Sequence, residues 1–245
     1  MNDKETKKKE WKRNIKVGLA MVLVSAVSIG GTVAFLSDKS ESITNTFVGS
    51  GGISVSLTEN TFNSTMAGAY TPEMVIPKDP TLTNDSSSAC DEWIAMRVDY
   101  EYDGTEKSKS ELEALVIEEL EMSNDWVKLP TQSGGADTNY DIYLYKNKLS
   151  KDNSATLFTQ VKIKNQTTLD ANGVFDTGSG KYKEFKITVF GAAIKDDLSI
   201  TNSLATIAPG DLPAAIDMTS LTVSGNDSTK VAIALCQLLK DLPTP

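Results

Sequence analysis

Short segments in which apolar and polar residues alternate recur along this chain, and this period of two predicts β-strands. The clearest, EWIAMRVDYEY, places Trp93, Ala95, Arg97 and Asp99 on one face and Ile94, Met96, Val98 and Tyr100 on the other. Further segments with strand character are ISVSLT, WVKL, YDIYLYK, TLFTQVKIKN and EFKITVFGAAI. In the last, Phe185, Ile187, Val189 and the backbone of Gly191 share one face. Short strands separated by turn signals are typical of antiparallel sandwiches, so the sequence predicts an all-β fold.

Two segments have helical spacing instead. The first predicts an amphipathic helix over about residues 111–121, with a capping box of Ser110 and Glu113 and with apolar positions Leu112, Leu115, Val116 and Leu120. The second predicts a short helix capped at Asp227 or Ser228, with Val231, Leu235, Leu238 and Leu239 on one side. Between residues 61 and 92, Pro77 and Pro80 predict an extended connection.

The N-terminus has a basic segment followed by an uncharged run, Val17–Leu36, of 20 residues. Small residues, Thr32 and Ala34, stand at positions −3 and −1 of a cut before Phe35, which is the pattern of a secretory signal peptide. The basic end would stay in the cytoplasm and the rest would be exported. The alternative is an uncleaved anchor, because about 20 apolar residues also suffice to span a bilayer as a helix.

Charge and composition exclude several classes of function. Residues 1–34 hold seven of the 24 basic and three of the 33 acidic residues. Residues 35–245 therefore have 17 basic and 30 acidic residues, and their formal charge is −13. Nucleic acid is therefore not an expected partner, since phosphate binding needs clustered Lys and Arg. The chain has no histidine, which removes HExxH zinc sites and histidine-based nucleophile systems. We expect no catalytic residues, no cofactor and no metal ligands.

Other candidate sites have simpler interpretations. Cys90 and Cys236 are far apart, and two separate buried thiols are favoured over a disulfide. The acidic pairs Asp91-Glu92, Glu118-Glu119 and Asp196-Asp197 are interpreted as solvated surface. The stretches NDSSSACDE and DTNYD carry oxygen ligands for calcium but lack EF-hand spacing, so turn chemistry is favoured. The tyrosines Tyr140, Tyr143 and Tyr145 are assigned to a core or half-exposed strand face rather than to a sugar platform.

The order of several motifs resembles one family. A signal ending in GGTVAF precedes NTFVGSGGISVSLTEN, then PKDPTLTNDSSSACDEWIAMRV, YDIYLYKNKLSKDNSATLFTQVKIKN and FKITVFGAAIKDD. Over about residues 14–197 the chain resembles the TasA/camelysin family of Gram-positive biofilm-matrix proteins, and in particular its clostridial-type, SipW-dependent members. The segment after residue 198 has no counterpart in that pattern. Some relatives are described as metalloproteases, an activity that the absence of histidine and HExxH does not support here.

The resemblance implies a jelly-roll-like antiparallel β-sandwich with one or two inserted helices. It also implies cleavage between Ala34 and Phe35 by a SipW-type signal peptidase, secretion to the extracellular matrix or cell surface, and self-assembly into head-to-tail fibres. In that scheme the new N-terminal segment adds a strand to the next subunit, a form of β-augmentation. The donor would run from Phe35 to about Val48, with Phe35, Leu36, Ile43 and Phe47 as anchors. Other matrix proteins are further candidate partners.

Four regions follow from these expectations. Residues 1–34 are the signal peptide, 35–52 the donor segment with a glycine hinge, 53–197 the sandwich, and 198–245 a C-terminal extension with a short helix. The expected function is that of a non-enzymatic, secreted fibre subunit. The alternative is a membrane-anchored, monomeric adhesive domain at the cell surface. A secreted peptidase is disfavoured because histidine is absent.

Overall fold

The computed structural model describes residues 28–35, 45–48, 53–132, 139–196, 206–240 and 242. The strands within these residues are β1 (Ser28–Phe35), β2 (Asn45–Val48), β3 (Ser54–Glu59), β4 (Val75–Pro77), β5 (Pro80–Asn84), β6 (Glu92–Tyr102), β7 (Thr105–Lys107), β8 (Ile117–Met122), β9 (Trp126–Lys128), β10 (Thr131–Gln132), β11 (Tyr140–Tyr145), β12 (Ser154–Thr156), β13 (Phe158–Ile163), β14 (Phe175–Asp176), β15 (Lys181–Tyr182), β16 (Phe185–Lys195) and β17 (Ile216–Asp217). The helices are α1 (Ser64–Gly68), α2 (Lys109–Leu115), α3 (Gln166–Ala171) and α4 (Asp227–Lys240), and a 3-10 turn covers Pro209–Asp211.

Antiparallel sheets form the body of the molecule, which confirms the prediction of an all-β sandwich. The larger sheet has the strand order β1-β16-β6-β11-β9, with β7 also paired to β6. A second sheet has the order β12-β5-β3-β2, and a third has the order β4-β13-β8. Three short helices are inserted between strands, and α4 follows the last strand.

The long strands β6 and β16 form the centre of the larger sheet, and both of their faces are buried. One face meets the other sheets in a core that includes Ile94, Met96, Val98, Phe185, Ile187 and Val189. The other face forms a second core with α4, and that core includes Trp93, Ala95, Phe190, Ala192 and Ile194. The alternation predicted for both strands is therefore confirmed, but here both alternate sets of side chains are buried.

Gly191 marks a close approach of two sheets. A Cβ atom built on Gly191 would lie 2.7 Å from Leu82 Cδ2 of β5, and Leu82 is almost fully buried. No residue with a side chain fits this position without displacing Leu82. The predicted placement of Gly191 on the inner face of β16 is confirmed by this contact.

The helix predicted over residues 111–121 is only partly correct. The helix α2 is shorter and begins earlier, and its capping box uses Ser108 and Glu111 rather than Ser110 and Glu113. The following residues form β8, which pairs with β13. Leu112 faces the core from the helix, whereas Leu120 faces it from the strand, so a single apolar pattern spans two elements.

The extended connection predicted for residues 61–92 is also wrong in part. It contains α1, β4 and β5, and β5 lies inside the second sheet between β3 and β12. Pro80 is the first residue of β5 and Pro77 is the last residue of β4. Proline is tolerated at such strand ends because it removes few ladder hydrogen bonds there.

The C-terminal helix is confirmed, and it packs on the outer face of the larger sheet. Its cap is Asn226, not Asp227 or Ser228, because Asn226 Oδ1 accepts a hydrogen bond from the Thr229 backbone N–H at 2.8 Å. Val231, Leu235 and Leu239 are buried as predicted, while Leu238 is only half-buried.

Arg97 of β6 ties the end of α4 to the sheet. Its Nε and Nη2 atoms donate to the two carboxylate oxygens of Asp99 at 2.6 and 2.7 Å. Its Nη1 donates to the carbonyl oxygens of Leu239, Lys240 and Leu242 at 3.0, 3.4 and 3.2 Å. One buried guanidinium thus satisfies backbone carbonyls at the helix C-terminus that have no partner within the helix.

Both cysteines are free thiols, as predicted, but the expected burial holds only for Cys236. Cys90 is partly exposed and Cys236 is buried in the core beneath α4. Burial raises the pKa of the Cys236 thiol to about 12, so this group stays protonated and unreactive at neutral pH.

Candidate assembly site

The first strand, β1, forms one edge of the larger sheet. It pairs with β16 in antiparallel register through eight residue pairs, from Ser28 opposite Ala193 to Phe35 opposite Lys186. The opposite edge of β16 pairs with β6 along its whole length. Among the described residues, β1 therefore covers the second side of β16, which would otherwise be an open edge of the sheet.

The candidate cleavage site lies inside this strand. Ala34 pairs with Ile187 and Phe35 pairs with Lys186. A cut between Ala34 and Phe35 would therefore remove seven of the eight residues of β1. The signal-peptide interpretation did not anticipate this pairing, because the partner residues lie about 150 positions further along the chain.

The candidate anchors divide between the two sheets. Phe35 is the last residue of β1, whereas Phe47 belongs to β2 and pairs with Val55 of β3 in the second sheet. Leu36, Ile43 and the hinge residues Gly49–Gly52 lie outside the described residues. The two ends of the predicted donor segment, Phe35 and Val48, are thus paired with different sheets of the same molecule. Strand β1 also lies next to β2 and β3.

The surface of β16 that β1 covers is strongly apolar. All eight residues from Ile187 to Ile194 are uncharged and buried, and one of them is Gly191, which lies against Leu82. Thr188 is buried, and its Oγ1 has no hydrogen-bond partner among the residues that the structure describes. Lys186, at the end that faces Phe35, makes an ion pair with Glu101 at 2.6 Å. An edge of this kind suits an uncharged strand better than a charged one.

The start of β3 is held by a buried polar cluster. Ser54, two residues after the predicted hinge, donates its backbone N–H to Ser88 Oγ at 2.7 Å, and Ser88 Oγ donates to Glu92 Oε1 at 2.7 Å. The Asp85 backbone N–H donates to the Ser54 carbonyl oxygen at 2.8 Å. The sandwich end of the hinge is therefore fixed by side chains from the loop before β6.

Glu92 is the functional candidate that the sequence interpretation missed. The sequence predicts a solvated surface for the pair Asp91-Glu92, but Glu92 is fully buried, and within the described part of the chain its Oε2 atom has no hydrogen-bond partner. Burial raises the pKa of Glu92 to about 7, although the hydrogen bond from Ser88 favours the charged form. Glu92 is the first residue of a strand buried on both faces, and that burial was not visible in the local pattern.

Several side-chain oxygen atoms of the stretch NDSSSACDE, a candidate for calcium binding, make hydrogen bonds within the protein. The two carboxylate oxygens of Asp85 accept hydrogen bonds from Ser54 Oγ and Ser56 Oγ at 3.2 and 2.9 Å. This agrees with the preference for turn chemistry. In the second stretch, Asp141 is buried and accepts a hydrogen bond from Tyr143 Oη at 3.2 Å, while Asp137 lies outside the described residues.

The tyrosine group belongs to the packing of the sheet. Tyr143 is buried in the inner core and Tyr145 packs at its margin. Tyr140 lies against the guanidinium of Arg97, whose Cζ atom is 4.1 Å from the ring centroid. This confirms the core or half-exposed strand face over an exposed sugar platform.

No helix among the described residues is both long enough and apolar enough to cross a membrane. The sequence matches no model of a known protein family, and comparisons with curated proteins and with solved structures found no similar chain.

Proposed function

We propose that this chain is a secreted structural subunit of extracellular biofilm-matrix fibres, and that subunits join through the edge of β16. The observation that supports the proposal is the position of the candidate cleavage site within β1. Removal of residues 1–34 would leave Phe35 as the only β1 residue opposite β16. An 11-residue strand would then present unpaired N–H and C=O groups along one side.

The processed chain would also have a segment suited to fill that edge once its Asn45–Val48 end has left β3, with which it pairs. Residues 35–48 begin with Phe35 and Leu36, and they end in ITNTFV, where Ile43 and Phe47 are the apolar anchors. Addition of this segment to the next subunit's β16 would supply main-chain hydrogen bonds, while the anchors bury apolar side chains. Because the segment enters the edge of the next subunit and not its own, the contact is heterologous and does not close on itself, so it generates a fibre.

The donor carries a polar centre, SDKSES, between its two apolar ends. We therefore expect the inserted strand to be short and to rely on the ITNTFV end. The basic and apolar N-terminus supports export, and a SipW-type signal peptidase is the proposed processing partner.

The test is electron microscopy of the chain processed to begin at Phe35. It is expected to form filaments, and deletion of residues 35–48 is expected to abolish them. Because that deletion also removes β2, a matched pair of substitutions is needed. Ile43→Asp should abolish filaments by placing a charge at an anchor, whereas Ser40→Asp should leave them intact.

Filaments formed by the chain that lacks residues 35–48 would contradict this mechanism. N-terminal sequencing of the native protein separates the proposal from the anchored adhesive domain. Phe35 as the first residue supports the fibre subunit, and an intact Met1–Ala34 supports the anchored monomer.

A further inference from the structure

Residues Ser28–Ala34 hold a position that the proposed donor needs. They pair with β16 from Ala193 to Ile187, and so cover nearly the whole edge that an incoming strand would use. Two strands cannot occupy one edge. The sequence of β1, SIGGTVAF, has no charged residue, whereas the donor contains Asp38, Lys39 and Glu41. On a largely apolar edge, β1 is the better-matched strand.

The connection between β1 and the rest of the chain favours β1 further. Nine residues, 36–44, separate the end of β1 from the start of β2. A short tether of this kind gives an effective concentration in the millimolar range. At micromolar protein, a segment from a second molecule is disfavoured by about a thousandfold before any difference in contacts is counted.

We propose that residues Ser28–Ala34 act as an intramolecular block that keeps the β16 edge closed until the chain is cut after Ala34. This inference rests on the proposed function, since the block matters only if the edge accepts a donor. One cut would have two effects. It would free Phe35 as the start of a donor, and it would release the strand that closes the acceptor.

Cleavage would open the edge of β16 because a single remaining residue cannot form a stable strand pair with it. After cleavage only Phe35, opposite Lys186, would remain of β1. Isolated strand pairs are marginal in water even at several residues, so the fragment Ser28–Ala34 is expected to dissociate once it is no longer tethered. Assembly competence would thus appear in the same step as processing, and an uncut chain whose β1 lies in the sheet would neither accept a donor nor nucleate a fibre.

The test measures the acceptor separately from fibre growth. A fluorescent peptide of residues 35–48 is titrated into the full chain in detergent, before and after cleavage at a protease site inserted between Ala34 and Phe35. We expect the uncut chain to bind the peptide at least ~10-fold more weakly than the cut chain, with ~1,000-fold as the upper limit set by the tether.

A variant of the uncut chain supplies the matched control. Neighbouring residues of a strand direct their N–H groups to opposite sides, so one of Thr32 and Val33 points its N–H toward β16. The double substitution Thr32→Pro and Val33→Pro removes that N–H in either case. The uncut double variant should bind the peptide nearly as well as the cut chain. Hydrogen exchange at residues 186–193 should rise in both.

The outcomes separate the two proposals. Equal peptide binding by the uncut and cut wild-type chains would overturn the block while leaving the proposed function intact. Failure of the cut chain both to bind the peptide and to form filaments would overturn the proposed function. In that case hydrogen exchange tests whether residues Ser28–Ala34 cover β16. Loss of protection at residues 186–193 on cleavage supports this contact, and unchanged protection refutes it.

Discussion

Gly191 shows how one residue sets the distance between two sheets. Leu82 fills the space in which a side chain at this position would lie. Its Cδ2 atom is 2.7 Å from the position that a Cβ atom would take. We expect Gly191→Ala to lower the free energy of unfolding by about 1–3 kcal/mol, because overpacking forces a buried side chain or the backbone to move. Urea denaturation measures the change.

A second glycine supplies the control for that prediction. Gly210, in the 3-10 turn, has no heavy atom within 4 Å of a built Cβ atom, and its backbone is not left-handed. Gly210→Ala should therefore change stability by no more than about 0.5 kcal/mol. Equal effects of the two substitutions would show that the contact with Leu82 does not govern the cost.

Glu92 makes the stability of the molecule depend on pH. Its pKa in the folded chain, about 7, lies above the ordinary value of 4.5, so the folded state binds this proton more tightly than the unfolded state does. The resulting stabilisation is complete below about pH 4.5 and is lost as the pH rises through 7. Burial likewise raises the pKa of Asp99 from 3.8 to about 6, and this works in the same direction.

The Glu92→Gln variant tests this dependence. The amide keeps an oxygen for the hydrogen bond from Ser88 but carries no charge, so the variant should exceed the wild type in stability at pH 8 by about 1–3 kcal/mol. Near pH 5 the two should be similar. Urea denaturation at both pH values is the measurement, and Glu119→Gln, at an exposed position, is the control. A Glu92→Gln variant with the wild-type pH dependence would contradict the assignment.

At the scale of elements, one side chain of the sheet binds the C-terminal end of α4. Arg97 bridges Asp99 and three carbonyl groups at the end of the helix. We expect Arg97→Lys to destabilise the chain by about 1–3 kcal/mol, because one ammonium group cannot reproduce a planar fork that reaches both partners. Faster hydrogen exchange across residues 227–240 would locate the effect in α4.

The control for Arg97 lies on the exposed side of the same helix. Lys230 makes an ion pair with Asp227 at 3.2 Å, and both side chains are about one-third exposed. Lys230→Gln should cost no more than about 0.5 kcal/mol, because surface ion pairs contribute little. If Lys230→Gln opened α4 as much as Arg97→Lys did, the buried fork would not be the anchor.

The sequence predicts those elements whose pattern is complete within one segment. Apart from the charged end residues Glu92 and Lys195, one face of β6 and one face of β16 carry an apolar residue or glycine at every second position, and α4 has an apolar side of its own. The boundary between α2 and β8 could not be found this way, because the pairing of β8 with β13 decides it and that partner is distant in sequence. The same reason hid β5, because Pro77 before it and Pro80 at its start suggest a loop until β3 and β12 are placed beside it.

The candidate assembly site is likewise only partly predictable from the sequence. The cut before Phe35 can be predicted from small residues and from the apolar run, since a signal peptide is a local pattern. The pairing of β1 with β16 is a property of the assembled sheet, and the alternation of β16 does not say which segment lies at its free edge. Burial of Glu92 follows from the same kind of distant packing, through the contact of Ser88 with Ser54.

At the scale of the whole molecule, net charge should govern how readily subunits associate. The processed chain would carry 17 basic and 30 acidic residues, so identical subunits repel one another. Under the proposed function, filaments should form faster in 150 mM than in 10 mM NaCl, because the screening length falls from about 30 Å to about 8 Å. Turbidity and electron microscopy at both salt concentrations measure the rate. Slower assembly at the higher concentration would indicate that attraction between charged groups drives the contact.

The position of β1 also limits where an uncut chain can reside. The uncharged run Val17–Leu36 needs nearly all of its 20 residues to cross a bilayer. If Ser28–Phe35 lies in the sheet, about 11 residues remain before it, and as a helix they reach about 16 Å, roughly half of the hydrocarbon thickness. The same residues cannot complete the sheet and traverse the lipid. An embedded molecule therefore leaves its sheet one strand short, and a molecule with a complete sheet has withdrawn from the bilayer.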